Sequence, residues 1–153
     1  MARYTATVAG TRCADDVFDY LKDFATIAEW DPGVSHAELV AGDAGEVGAR
    51  YRVDTVLLGR VTELEYVIVL EVTAADGSGR VDLRAESDDF ISYDVITVRP
   101  VGSGCQVTYD ADLALKGFRR PFDPFLWVLF QVIGRRAEHG LAELVNSSFI
   151  VRP

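Results

Sequence analysis

Histidine and cysteine are both scarce in this chain, and that scarcity excludes much chemistry. His36 and His139 are the only two histidines, and Cys13 and Cys105 the only two cysteines. They form no HExxH, CxxC or clustered Cys/His set, so no metal site and no metal catalysis are expected. There is no GxSxG nucleophile elbow and no phosphate-binding loop, and Gly42, Gly45 and Gly48 have the wrong spacing for a dinucleotide fingerprint. No cofactor is therefore expected. His139 falls away from the apolar stripe of its helix and reads as a solvated surface residue. Cys13 and Cys105 read as small core or helix-start residues.

Positive charge is also in short supply. Fifteen Lys and Arg against twenty-four Asp and Glu leave a net charge of −9, which opposes nucleic acid because affinity there rests on neutralising phosphates. The longest apolar run, Phe125 to Ile133 broken only by Gln131, falls far short of the ~20 residues of a transmembrane helix. Met1 to Gly10 contain no apolar stretch of the length an export signal needs, so a reducing cytoplasm is the expected location. The formal glycosylation sequon Asn146-Ser147-Ser148 carries no weight in that setting. No repeat, charge block or Ser/Gly-rich linker interrupts the chain, and residues 1–153 read as a single domain.

What the chain does have is alternation. Tyr4 to Val8 read as a first strand, followed by a helix with Asp15 and Asp16 in its first turn and Val17, Tyr20, Leu21 and Phe24 as its apolar stripe. A second short helix around Thr26 to Glu29 ends at Trp30, because Pro32 disfavours helical backbone at Asp31. Period two then dominates. Ala49, Tyr51, Val53, Thr55 and Leu57 share one face, and Thr62, Leu64, Tyr66, Ile68, Leu70 and Val72 share the next, opposite Glu63, Glu65 and Glu71. Asp76 to Gly79 supply a turn, after which Val81, Leu83 and Ala85 alternate with charged residues.

The last two strands, Phe90 to Arg99 and Cys105 to Leu115, are joined by Pro100 to Gly104 and read as antiparallel neighbours. Val107, Tyr109, Ala111, Leu113 and Leu115 face one way. In the preceding strand, either Ser92, Asp94, Ile96 and Val98 point inward or Ile91, Tyr93, Val95 and Thr97 do; the first set is the preferred reading, and register alone decides. A long helix from about Pro121 to Ser147 closes the chain, roughly 40 Å at 1.5 Å per residue. Leu126, Phe130, Ile133, Ala137, Gly140, Leu141 and Leu144 lie on its core face. The expected fold is thus α+β, a curved antiparallel sheet of about seven strands wrapped around a long C-terminal helix, with two short helices after the first strand.

This order of elements, with the segments Val17-Phe18-Asp19-Tyr20-Leu21, Trp30-Asp31-Pro32, Val47-Gly48-Ala49-Arg50-Tyr51 and Val107-Thr108-Tyr109, resembles the START-like, or SRPBCC, superfamily over the whole chain. It looks most like the polyketide cyclase/dehydrase and carbon-monoxide-dehydrogenase-subunit-G-like branches. The resemblance implies a helix-grip fold around a hydrophobic pocket. The matching segments are fold signatures and imply no particular catalytic residue.

Polar residues on the inward faces are the candidates for a site. Tyr51, Thr55, Tyr66, Asp94 and Tyr109 could hydrogen-bond a ligand's carbonyl or hydroxyl groups, although a strand tyrosine is more often core with its tip at the rim. A carboxylate held in an apolar cavity has its pKa raised toward neutrality, which makes Asp94, with Tyr66, the candidate for acid–base chemistry. Trp30, Phe130, Ile133 and Gly140 complete the candidate ligand contacts. Gly140 costs its helix about 1 kcal/mol and leaves room either for a ligand or for a close approach of other backbone. Phe125, Trp127, Val128 and Val132 form an apolar patch on the opposite side of the helix, an expected contact for a second copy, a partner or a membrane surface.

Two functions from different classes fit these features. One is the binding or transport of a small hydrophobic molecule, a lipid, polyketide or aromatic metabolite, in a cavity between sheet and helix. The other is a cofactor-independent enzyme of the cyclase/dehydratase kind, working through Tyr and Asp proton transfer. An interaction module using the helix patch is a third. The sequence leaves open whether there is catalysis at all.

Overall fold

A computed structural model describes residues 2–57, 59–116 and 123–146, with side chains described at all of these except 2, 57 and 123–134. The chain runs β1 (Ala2–Gly10), α1 (Ala14–Lys22), a 3-10 turn (Phe24–Thr26), α2 (Ile27–Trp30), β2 (Val34–Ala41), β3 (Arg50–Leu57), β4 (Arg60–Thr73), β5 (Gly79–Glu86), β6 (Phe90–Val101), β7 (Gly104–Leu115) and α3 (Asp123–Asn146). The seven strands form one sheet in the order β1-β7-β6-β5-β4-β3-β2, every neighbouring pair antiparallel. Consecutive hairpins build six of the strands. The short helices carry the chain from β1 at one edge to β2 at the other, across the inner face. This is the expected helix-grip architecture.

The inner face is set by alternation. Along β7 every second residue from Cys105 to Leu115 is buried, and along β6 Ser92, Asp94, Ile96 and Val98 are buried, while Tyr93 lies on the outer face. The pairing of Asp94 with Leu83 and Ala111 fixes that register. Burial of each large aliphatic or aromatic side chain contributes on the order of 2 kcal/mol, so a one-residue slip would expose the whole inner set of a strand.

Strand β4 departs from its sequence pattern. Ile68 pairs with Leu83 but Leu70 pairs with Asp82, leaving Val69 as an extra residue. The bulge reverses the faces beyond it, so Leu70 and Val72 turn outward to solvent and Glu71 turns in, within 3.7 Å of Lys22 of α1. Two residues expected to share the inner face are therefore outside it. The bulge bends the strand, and two further register shifts in β2 bend the sheet's edge.

The described half of α3 rests on β1 and α2. Ala137, Leu141 and Val145 are buried at four-residue spacing, and Leu144, expected on that face, is half-buried beside them. Gly10 lies so close to Val145 that a Cβ at Gly10 would sit 2.7 Å from it. Asn146 holds the helix end to the sheet edge: its Oδ1 accepts from the Thr11 N–H and its Nδ2 donates to the Ala9 and Ala142 carbonyls. His139 is exposed on the far side, 3.2 Å from Glu143. Among the described residues no helix is long and apolar enough to cross a membrane.

Candidate functional site

A hollow of about 50 Å³ remains between α2 and the inner face of the sheet. Its apolar wall includes Ile27, Val34, Val53, Leu64, Ala111 and Leu113; its polar lining consists of Asp31, Thr55, Tyr66, Ser92, Asp94 and Tyr109. The volume suits a few waters or a small head group, less than the roughly 300 Å³ and upward of a pocket that takes a whole drug-sized ligand. Aromatic rings account for much of the interior. Phe24 packs edge-on to Tyr51 at 6.2 Å and against Tyr66 at 5.0 Å, and Trp30 meets Tyr109 edge-on at 5.4 Å.

The polar residues are wired to one another. Tyr66 donates from its hydroxyl to Ser92 Oγ at 3.1 Å, Ser92 donates to Asp94 Oδ1 at 2.8 Å, and Tyr109 donates to Asp94 Oδ2 at 2.7 Å. Strand periodicity explains the arrangement: Ser92 and Asp94 are successive inward residues of β6, Tyr109 comes from the strand on one side and Tyr66 from across β5 on the other. Asp94 is only 2% exposed. Burial, opposed by its two hydroxyl donors, lifts its pKa to about 6, and the charges of Asp31 and Asp112 add to the rise. Burial also drives the Tyr66 and Tyr109 phenols upward, so both are protonated donors.

Asp31 is the second carboxylate of the hollow; from the sequence it reads as the residue that ends α2 before Pro32 and as part of the fold-signature segment Trp30-Asp31-Pro32, not as a site residue. It is 9% exposed. Its Oδ1 accepts from the Gly33 N–H at 2.8 Å, closing the tight turn that leads into β2, and burial lifts its pKa to about 6. Oδ2 has no protein partner, and no arginine, lysine or histidine lines the hollow among the described residues. The signal that could have found Asp31 is its place in Trp30-Asp31-Pro32: a carboxylate between a large aromatic and a turn, just after an apolar helix face.

Tyr66, Thr55, Asp94 and Tyr109 thus come together, joined by Ser92 and Asp31. Tyr51 and Trp30 do not line the hollow, although both are buried. Tyr51 directs its hydroxyl away, accepting from the Gly45 N–H at 2.8 Å in the β2–β3 loop. Trp30 lies 3% exposed with its indole N–H unpaired among the described residues. Gly140 faces neither ligand nor hollow: a Cβ there would lie 2.0 Å from the Trp30 carbonyl oxygen, so of the two readings of this glycine the close approach is the one the geometry uses, with α2 as the backbone that approaches. The side chains of Phe130 and Ile133, and those of Phe125, Trp127, Val128 and Val132, lie outside the described residues. Among the described residues no cluster of side chains could hold a metal ion.

Residues 1–147 match the family model described as polyketide cyclase / dehydrase and lipid transport. No curated protein matches the chain. Similar solved structures include a START superfamily protein from Mycobacterium smegmatis (16% identity, 95% of this chain and 97% of that one, TM-score 0.73). A STAR-related lipid transfer protein fragment from Xanthomonas axonopodis is 17% identical over 94% of this chain and 85% of its own, with a TM-score of 0.71. The Zhui aromatase/cyclase from Streptomyces sp. R1128 is 12% identical over 94% and 92%, with a TM-score of 0.72. At these identities the likeness is one of fold.

Proposed function

The chain belongs to the polyketide cyclase/dehydrase and lipid transport family, and from that premise we propose that it binds a small hydrophobic molecule with its polar end in the hollow beneath α2. The observation that carries this reading is the Tyr66–Ser92–Asp94–Tyr109 network lining a hollow whose other walls, apart from Asp31 and Thr55, are apolar. A folded chain gains little from keeping a carboxylate and three hydroxyls in its interior, since burying polar groups costs about as much as their mutual hydrogen bonds return. A guest that meets them with its own polar end supplies the reason for their presence. The lipid-transfer protein and the aromatase/cyclase of like fold are consistent with a guest of this kind.

The size of the hollow limits the guest. A whole polyketide or lipid requires the space to widen several-fold, whereas a head group with the first few carbons fits it as it stands. A second reading, a cyclase or dehydratase, draws on Asp94, whose carboxyl is lifted by burial to a pKa of about 6 in contact with a phenol and can pass a proton in either direction. Native mass spectrometry of protein purified from its own host tests the proposal. The expected result is a stoichiometric adduct of a small apolar molecule that leaves on denaturation. Protein free of any such adduct, and unable to take one up from a host lipid extract, would remove the binding reading. Return of the guest chemically converted would select the second.

A further inference from the structure

We infer that the guest's polar end is an amine, held as an ammonium ion against Asp31 with Asp94 behind it. The inference deepens the proposed binding function and rests on it. Two carboxylates, one on the turn after α2 and one on β6, line the same small space, and no cationic side chain faces either among the described residues. Asp94 is already satisfied, with one hydroxyl donor on each oxygen. Asp31 is not. One of its oxygens is spent on the Gly33 N–H, and the other has no protein partner among the described residues although the residue is more than nine-tenths buried and lines the hollow. A carboxylate oxygen with no donor from the protein, on a residue that lines the hollow, has capacity for a charge-assisted hydrogen bond from a guest.

The remaining walls suit the same ligand. Tyr66 and Tyr109 line the same space as the acids, and aromatic rings are favourable neighbours for an ammonium group. An anionic head group, such as a fatty acid carboxylate or a phosphate, would meet two acids and, among the described residues, no counter-charge, a like-charge arrangement that rejects it. A neutral alcohol could donate one hydrogen bond to Asp31 but would leave the excess negative charge unmatched. The ligand class is therefore an apolar primary or secondary amine, its ammonium and first methylenes in the hollow and its tail directed outward.

Calorimetric titration at about pH 7.5 with hexylamine and with its neutral isostere 1-hexanol tests this. Hexylamine is an ammonium ion there, its basicity being that of a lysine side chain. The expected result is hexylamine binding at least ~10-fold more tightly than 1-hexanol, one charge-assisted hydrogen bond accounting for about that ratio. In Asp31→Asn, which keeps an oxygen for the Gly33 N–H and so the turn, the preference should fall to within ~2-fold; Asp94→Asn should retain part of it. Equal affinities in the parent, or a preference undiminished in Asp31→Asn with its cooperative unfolding intact, would overturn the amine assignment and leave a neutral guest. Binding of neither compound, together with no adduct in protein from the host, would bring down the binding function itself and the amine with it.

Discussion

Raising the pH from about 5 to about 7.5 is expected to lower the free energy of unfolding by roughly 2–3 kcal/mol, and Asp31→Asn/Asp94→Asn is expected to abolish most of that fall. Both carboxyls are lifted from 3.8 to about 6 in the folded protein, in each case chiefly by burial. A carboxyl whose pKa is raised on folding binds its proton more tightly in the native state. Its contribution to stability is therefore fully present below the unfolded value near 3.8 and is lost as the pH climbs through about 6. Carboxylates lowered by their partners have the opposite sign. Asp82 beside Arg80 and Tyr93, Asp110 beside Arg3, Glu86 beside Lys116 and Asp76 with the Ser78 N–H all stabilise the fold above their unfolded values of 3.8 to 4.5 and lose that contribution only under more acidic conditions. Urea unfolding of parent and double variant at the two pH values separates the two groups. The acidic net charge adds a general weakening with pH that both proteins share, so the difference between their slopes is the quantity that reports the buried pair. A parent slope equal to the variant's would mean that both carboxyls are solvated.

Gly140→Ala is expected to destabilise the protein by about 2–3 kcal/mol, although on an isolated helix the same change stabilises by about 1 kcal/mol. The reversal comes from one contact. The new Cβ would be placed 2.0 Å from the carbonyl oxygen of Trp30, which is backbone and cannot rotate away. Either α3 lifts from α2, breaking the packing of Ala137 and Leu141, or α2 shifts over the hollow that it roofs. In the second case Asp31, the residue after Trp30, moves with it, and hexylamine affinity should fall along with stability. Gly48→Ala makes a useful contrast. Its φ of 92° is strained for alanine, yet its Cβ would meet no atom within 4 Å, so its cost is local and leaves the hollow untouched. Thermal unfolding of the two variants settles the comparison, and a Gly140→Ala protein as stable as the parent would contradict the contact.

Strand alternation made most of this architecture legible. Along β7 each residue of the inner set is where period two places it, because no bulge interrupts the strand and both its neighbours pair in register. In β6 the pattern admitted two registers, since Ile91, Val95 and Thr97 are as apolar as Ser92, Asp94 and Ile96; only pairing with β5 and β7 makes the choice. The bulge at Val69 was not legible, because Leu70 and Val72 continue the apolar alternation that the extra residue reverses. The site divided in the same way. Tyr66, Thr55, Asp94 and Tyr109 follow from which face their strands present, whereas Tyr51 shares that face yet directs its hydroxyl to a loop whose Gly45 takes a φ of 79°. Asp31 and Gly140 depend on where two helices cross the sheet and each other, a non-local fact that no local pattern encodes.

The claim on which the account rests is that space remains beneath α2, beside the two acids. Ala111, buried on β7 and lining that space, allows a direct measurement. In a solid core Ala111→Leu would overpack and cost about 1–3 kcal/mol. With a hollow at this position the added carbons enter existing volume, so urea unfolding should show stability within ~0.5 kcal/mol of the parent or above it, while the stabilisation that hexylamine gives the parent disappears. A loss of ~2 kcal/mol or more, or hexylamine stabilisation that persists in the filled variant, would contradict the account.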